Sequence, residues 1–352
     1  MTNPSGTLRV AVATPLSEEL CALIESREPR VELLRDQSLL PPMRWPGDHS
    51  GDPSFVRTAR QQESFTALLD SADALYGVPD ETPAELARTA AANPLLRWVH
   101  TMPAGGGGQV KAAGLSSEQL ERIAFTTSAG VHAEPLAEYS VFGLLAGAKT
   151  LPRLLEQQAS HTWTGRWMMG TISGQRILIV GLGSIGRATA VKLKALGAHV
   201  IGTSRRPDAV DAVDEVIHPD RIVDIIGSVD GIVVTLPGTA VTEGLISATV
   251  LAALKPGTTF VSVGRGTVID EAALTEAIED GRIGFAALDV FAVEPLPADS
   301  ALWSHPRVLI SPHTAALNPA EDRLIAELFA RNATRFLDAR PLVNRVDTVE
   351  FY

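Results

Sequence analysis

Short apolar runs alternate along the chain with stretches whose apolar residues recur at helical spacing. In the first third, residues 8–14, 31–34, 74–77 and 96–101 read as strands. Residues 17–26, with Ser17 as a candidate cap, and residues 81–92 read as helices. Residues 123–129 form another strand candidate, followed by one long helical stretch over 135–158. A second series then begins. Its strands are expected at 176–180, 200–204, 231–236, 258–263, 285–290 and 308–311, and its clearest helices at 185–196, 248–254 and 271–280. A last helix is expected over 319–338, where Leu324, Ile325, Leu328 and Phe329 share a helical face.

Strand–helix alternation over the whole length predicts an α/β protein with two doubly wound, parallel-stranded domains. Residues 36–63 are rich in Pro, Asp and Gly and read as a long surface insertion with some local order. No repeat of 20–50 residues is present, which excludes a solenoid.

Composition narrows the function classes. The chain of 352 residues has 30 Lys+Arg against 41 Asp+Glu, a formal net charge of −11. That balance speaks against nucleic acid or an anionic membrane as partner, and 18 aromatics (10 Phe, 5 Trp, 3 Tyr) offer few stacking platforms. The single Cys21 rules out an internal disulfide and a multi-Cys metal site, so no metal is expected. No apolar run approaches the ~20 residues of a membrane span. Residues 1–9 lack a basic segment followed by an apolar one, so no secretory signal is expected and the cytoplasm is the expected compartment.

The strongest local signal is Gly181-Leu182-Gly183-Ser184-Ile185-Gly186. It follows an apolar strand and opens a helical stretch, the context that makes the motif a dinucleotide site. Gly181 permits the tight turn, Gly183 lets backbone approach a pyrophosphate, and Gly186 lets helix and strand pack closely. The helix N-terminus then offers N–H groups and a positive dipole end. Eighteen residues after Gly186 stands Ser204, followed by Arg205 and Arg206. A site for NAD places a carboxylate here for the ribose 2′-OH, whereas arginines suit a 2′-phosphate. The pattern therefore favours NADPH over NADH.

Three ionisable residues lie at or just beyond the ends of predicted strands: Arg265 in Val263-Gly264-Arg265-Gly266, Glu294 before Pro295, and His313 after Ser311-Pro312. Jointly they supply a fixed cation for a carboxylate, a proton donor that titrates near neutrality, and a carboxylate to orient that donor.

These segments carry a resemblance. With Leu236-Pro237, Thr242 to Ile246, Lys255-Pro256-Gly257, residues 263–270, 288–297 and 311–313, and gaps of 29 residues from Arg265 to Glu294 and 19 to His313, the chain resembles the D-isomer-specific 2-hydroxy acid dehydrogenases over about residues 125–318. The resemblance implies hydride transfer between NAD(P)H and a small 2-oxo acid of the glyoxylate or hydroxypyruvate type. It implies that Arg265 binds the substrate carboxylate, that His313 donates a proton to the carbonyl oxygen, and that Glu294 orients His313 and favours its imidazolium form. Asp289 would approach the nicotinamide carboxamide. Leu236, Pro237, Thr242, Val263 and Gly264 would line the cofactor, and Ala104, Gly105 and Gly106 would offer backbone N–H groups to the substrate. It further implies a flavodoxin-like substrate domain, residues 1–125 with 315–352, interrupted by a Rossmann domain, residues 126–314. The site would sit in the cleft between them, and the protein would be a homodimer.

Departures from the family pattern are Ala292 where an acidic residue is common and Ala315-Ala316 after the histidine. Glu294 rather than Gln argues against a formate dehydrogenase. Trp163, Trp167, Met168 and Met169 read as core or interface residues, with the wall of a substrate pocket as the other reading. A cofactor-sensing corepressor on the same fold is the alternative from another functional class.

Overall fold

The computed structural model describes residues 6–206 and 208–351. They divide into two compact units, one running to His132 and resuming at Leu317, the other spanning Ala133–Ala316. The expected boundaries at 125/126 and 314/315 thus move to 132/133 and 316/317. The first shift matters, because a cut at 125 would split a strand of the first unit's sheet.

The first unit is built on β1 (Leu8–Val12), β2 (Val31–Leu34), β3 (Ala74–Tyr76), β4 (Trp98–Thr101) and β5 (Ala124–Thr127), all parallel, in the order β2-β1-β3-β4-β5. That order is the flavodoxin-like one. Helices α1 (Glu18–Arg27), α2 (Ala59–Asp70), α3 (Pro83–Ala92), α4 (Gly107–Ala112) and α5 (Ser117–Arg122) connect the strands. Ser17 caps α1 as the sequence predicts, its Oγ accepting from the Leu20 N–H at 3.3 Å. The chain returns to this unit as a long helix (Glu321–Leu337), which packs on α1. Its Phe329 stacks on the fully buried Trp98 at 4.6 Å between centroids, and Tyr76 meets Phe329 edge-on at 5.1 Å. The segment after it lies along β5: Thr127 N–H donates to Asn344 O and Val346 N–H to Phe125 O, which covers an otherwise open sheet edge.

The stretch 36–63 lies mostly at the surface and carries local order: a 3-10 turn (Gln37–Leu39) and the start of α2 at Ala59, with Leu39, Leu40 and Asp48 buried. A capping box between Thr58 and Gln61 starts that helix.

In the second unit the expected long helix is two, α6 (Ala133–Ala148) and α7 (Leu151–Ala159). Pro152 cannot donate to the helical ladder and clashes with the turn before it, and Thr150 takes a left-handed φ of 53° at the break. Strands β6 (Arg176–Val180), β7 (His199–Thr203), β8 (Glu215–Ile217), β9 (Gly231–Val234), β10 (Thr258–Ser262), β11 (Ile283–Leu288) and β12 (Val308–Ile310) form one parallel sheet, β12-β11-β10-β9-β6-β7-β8. This is the Rossmann order with a seventh strand added, and its switch point lies between β6 and β9. Helices α8 (Ser184–Ala195), α9 (Ile222–Ile225), α10 (Ala248–Ala252) and α11 (Glu271–Glu279) join the strands, and the returning helix of the first unit is α12. Edge strand β8 escaped the sequence reading: it has three residues, is half-buried, and sits among charges.

Trp163 is fully exposed and Met168 is 97% exposed, so neither belongs to a core. Trp167 is partly covered by the Arg153 guanidinium, 4.1 Å above its ring.

Candidate active site

The glycine turn follows β6. Gly181 has φ +107°, and a Cβ there would meet Leu236 Cδ2 at 2.7 Å, so both conformation and space demand glycine. Thr203 Oγ1 accepts from the Gly181 N–H at 2.9 Å and Thr235 Oγ1 donates to the Gly181 carbonyl at 2.7 Å. These two threonines went unnoticed in the sequence, because nothing local marks a strand-end threonine as the brace of a turn 22 or 54 residues away. Gly186 packs with its Cα face on Gly181, where a Cβ would lie 2.0 Å from the carbonyl oxygen. Gly183 differs. A Cβ there would have nothing within 4 Å, and α8 begins after it with no side-chain cap. Open space over an uncapped helix N-terminus is what a pyrophosphate needs, so the residues present fit a dinucleotide.

Ser184 is exposed beside this opening and Ile185 is half-buried. Leu182 is committed to the fold: its side chain fills the space above Gly202 and its N–H donates to Thr203 O at 3.2 Å. Val263 is likewise buried. Beyond β7, Ser204 Oγ accepts from the Arg206 N–H at 3.1 Å, and Arg205 and Arg206 are exposed. Beyond β9, Thr242 Oγ1 donates to Pro237 O at 2.6 Å and accepts from the Thr239 N–H at 2.9 Å, closing the loop on itself. Gly264 lies against that loop, since a Cβ would stand 2.4 Å from Leu236 O.

The three ionisable residues share this C-terminal end of the sheet. Arg265 is exposed at the start of a short 3-10 turn (Gly266–Val268), and its Nη1 donates to Gly264 O at 2.8 Å. Gly266 allows that turn to touch the loop after β11, because a Cβ would fall 1.9 Å from the Phe291 carbonyl carbon. In the same loop Glu294 Oε1 accepts from the Phe291 N–H at 3.0 Å, and its Oε2 lies 2.7 Å from His313 Nδ1. Burial pushes the Glu294 carboxyl up. The bonds from His313 and Phe291, with the charges of His313 and Arg265, outweigh it and hold the group below the usual carboxylate range.

His313 has a left-handed φ of 54°, uncommon for a residue with a Cβ. The loop is held there by Asp289, which is 1% exposed. The Asp289 carbonyl accepts the His313 N–H at 3.0 Å, and its Oδ1 accepts from Ser311 Oγ at 2.6 Å and from the Thr314 and Ala315 N–H groups at 3.0 and 3.1 Å. This oxygen is therefore occupied by the histidine loop.

In the first unit, Ala104 and Gly105 are exposed after β4, while Gly106 is buried with a virtual Cβ 1.8 Å from Thr101 Oγ1. The Gly106 N–H donates to Pro103 O at 3.2 Å and Gly107 opens α4. Packing alone accounts for glycine at 106. Among the described residues no cluster of His, Cys, Asp and Glu could hold a metal ion, and no helix is long and apolar enough to cross a membrane.

Residues 141–315 match the model of the D-isomer specific 2-hydroxyacid dehydrogenase NAD binding domain. The chain belongs to this family. It is 38% identical over 189 residues to D-3-phosphoglycerate dehydrogenase of Mycobacterium tuberculosis, a match covering 53% of this chain and 36% of that one. It is 35% identical over 158 residues to glyoxylate/hydroxypyruvate reductase A of Serratia proteamaculans, covering 44% and 50%. The chain thus matches about a third to a half of the length of these curated relatives. Similar solved structures span nearly all of it. A family member from Aeromonas salmonicida has TM-score 0.75 and 27% identity, covering 97% of this chain and 99% of that one. One from Xanthobacter autotrophicus, in complex with NADPH and MES, has TM-score 0.74 and 28% identity, covering 98% and 99%.

Proposed function

We propose that the protein is an NAD(P)-dependent reductase of small 2-oxo acids of the glyoxylate or hydroxypyruvate type. The observation that carries this reading is the His313–Glu294 pair at 2.7 Å, on the sheet end that also bears Arg265 and the open Gly183 turn. NADPH supplies the hydride when bound. Arg265 holds the substrate carboxylate through its exposed guanidinium. Glu294 accepts from His313 Nδ1, which leaves Nε2 to deliver a proton to the carbonyl oxygen as C2 gains the hydride. The product is a 2-hydroxy acid. Ala104, Gly105 and Gly106 are assigned to the substrate on the family resemblance. Asp289 is assigned to the nicotinamide on the same ground, through atoms other than Oδ1.

The choice of NADPH over NADH rests on Arg205 and Arg206 after β7, where a carboxylate would serve NAD. The NADPH bound by the Xanthobacter autotrophicus relative supports it. A homodimer is proposed on the fully exposed Trp163 and the exposed Met168. A reducing cytoplasm is proposed on the lone, buried Cys21.

The test is turnover of a panel of 2-oxo acids with NADPH and with NADH, for the full chain and for Arg265→Ala and His313→Ala. Removal of the proton donor is expected to cost about 10²–10⁴-fold in kcat. Near wild-type turnover in both variants would overturn the assignment, and a strong NADH preference would overturn the role of the two arginines.

A further inference from the structure

Two polar side chains of the second unit lie behind the histidine loop and have no part in the chemistry above. Tyr139 stands on α6, and Ser311 follows β12. Ser311 Oγ is 2.9 Å from the Tyr139 hydroxyl and 2.6 Å from Asp289 Oδ1. A serine has one hydroxyl proton and a carboxylate only accepts, so Ser311 donates to Asp289 and Tyr139 donates to Ser311. Asp289 Oδ1 also receives the Thr314 and Ala315 N–H groups, and the Asp289 carbonyl receives that of His313. The chain of bonds therefore runs from a helix to the backbone of His313 and of the two residues after it.

The placement gives this chain leverage. Helix α6 begins at Ala133, the first residue of its unit, and the histidine loop ends at Ala316, the last. The Tyr139–Ser311 bond ties the helix by which the chain passes into the unit to the loop by which it leaves. His313 holds a left-handed backbone conformation in that loop, which persists only where the surroundings over-determine it.

We propose that Tyr139 is a positioning residue, setting the orientation of the His313 loop through Ser311 and Asp289. The proposal rests on His313 as the proton donor. Burial and the Asp289 charge push the Tyr139 hydroxyl above its ordinary value against the Ser311 bond, so it remains a donor throughout the neutral range.

The experiment compares Tyr139→Phe, Ser311→Ala, Ser311→Thr and the Tyr139→Phe/Ser311→Ala double variant of the full chain. Readouts are kcat with NADPH and glyoxylate, NADPH Kd by fluorescence titration, and the His313 imidazole resonances, assigned with His313→Gln. Tyr139→Phe removes one oxygen and keeps the ring. It should lower kcat about two- to tenfold, leave the NADPH Kd within about twofold, and shift the His313 resonances. Ser311→Ala should lose more, Ser311→Thr should recover most of that loss, and the double variant should match Ser311→Ala because the tyrosine acts only through the serine. Wild-type kcat and unmoved His313 resonances in Tyr139→Phe would overturn the proposal, as would losses that multiply in the double variant. If His313→Ala itself keeps wild-type turnover, the proton-donor reading has failed, and the resonances of Tyr139→Phe still decide whether Tyr139 positions the loop.

Discussion

Glu294 grips His313 and its own loop at once: Oε2 lies 2.7 Å from His313 Nδ1, while Oε1 accepts the Phe291 N–H at 3.0 Å. The carboxylate cannot swing without losing both partners, so the imidazole inherits its orientation from the β11 loop.

If orientation and charge act as one unit, the two residues must be non-additive. Glu294→Ala is expected to lower kcat about 10²-fold, and His313→Ala at least as much. The Glu294→Ala/His313→Ala double variant should be no worse than His313→Ala alone. Glu294→Gln keeps the shape and an acceptor oxygen and should fall between wild type and Glu294→Ala. Steady-state kcat across the four variants decides the matter, and multiplied losses would show that Glu294 acts independently of His313.

The glycines of the turn should separate binding from folding. Gly183→Ala adds a methyl in open space at a φ of −73°, which any residue tolerates. It should melt within a degree or two of wild type yet raise the Kd for NADPH about tenfold or more, because the methyl stands where the pyrophosphate approaches. Gly186→Ala puts a methyl 2.0 Å from the Gly181 carbonyl and should be destabilised by roughly 1–3 kcal/mol. Calorimetry and fluorescence titration of both variants test this. A Gly183→Ala protein that binds NADPH as tightly as wild type would remove the dinucleotide from this turn.

Local physics explains how much of this could be read in advance. The strand Arg176–Val180 was legible to the residue, because a buried parallel strand is a short apolar run with polar flanks. Arg265, Glu294 and His313 could be singled out together as candidates because each follows a predicted strand, at the end of the sheet where α/β proteins bind ligands. Helix α4 was hidden by its glycines, and its first residue must be glycine because a Cβ would meet Phe351 O at 2.2 Å. Thr203, Thr235 and Tyr139 were hidden for another reason. Their task is a hydrogen bond to a residue far along the chain, and sequence periodicity carries no record of such a pairing.

Exposure of Trp163 and Met168 gives a direct expectation for assembly. Large apolar side chains left fully open on an irregular segment lower solubility unless something covers them. A second copy of the chain is the proposed cover. Light scattering should report twice the mass of one chain for the full protein, and Trp163→Asp/Met168→Asp should shift it toward one chain mass with the fold retained by circular dichroism. A monomeric wild type at micromolar concentration would sink the idea.

Two buried groups contribute to the acid stability of the first unit. Glu321 begins α12 with its side chain only 4% exposed, 3.0 Å from His132 Nε2 and 3.5 Å from His49 Nε2. Burial raises its carboxyl, but the two histidines together outweigh burial and bring it from the ordinary 4.5 down to about 2. His100 is wholly buried, with its ring nitrogens 2.8 Å from Thr126 Oγ1 and 3.2 Å from Ser128 Oγ, and burial lowers it from 6.5 to about 3. Both groups take up protons at higher pH in the unfolded chain than in the folded one. The contribution of His100 is therefore full above about pH 6.5 and is lost as pH falls toward 3, and that of Glu321 is full above about pH 4.5 and is lost as pH falls toward 2. Hydrogen exchange of the β3 and β4 amides reads this unit alone. Protection should fall steadily below pH 6.5, and Glu321→Gln should cost roughly 1–3 kcal/mol at neutral pH while flattening the part of the decline below 4.5. The same slope in wild type and Glu321→Gln below that point would show that the histidines do not hold this carboxylate down.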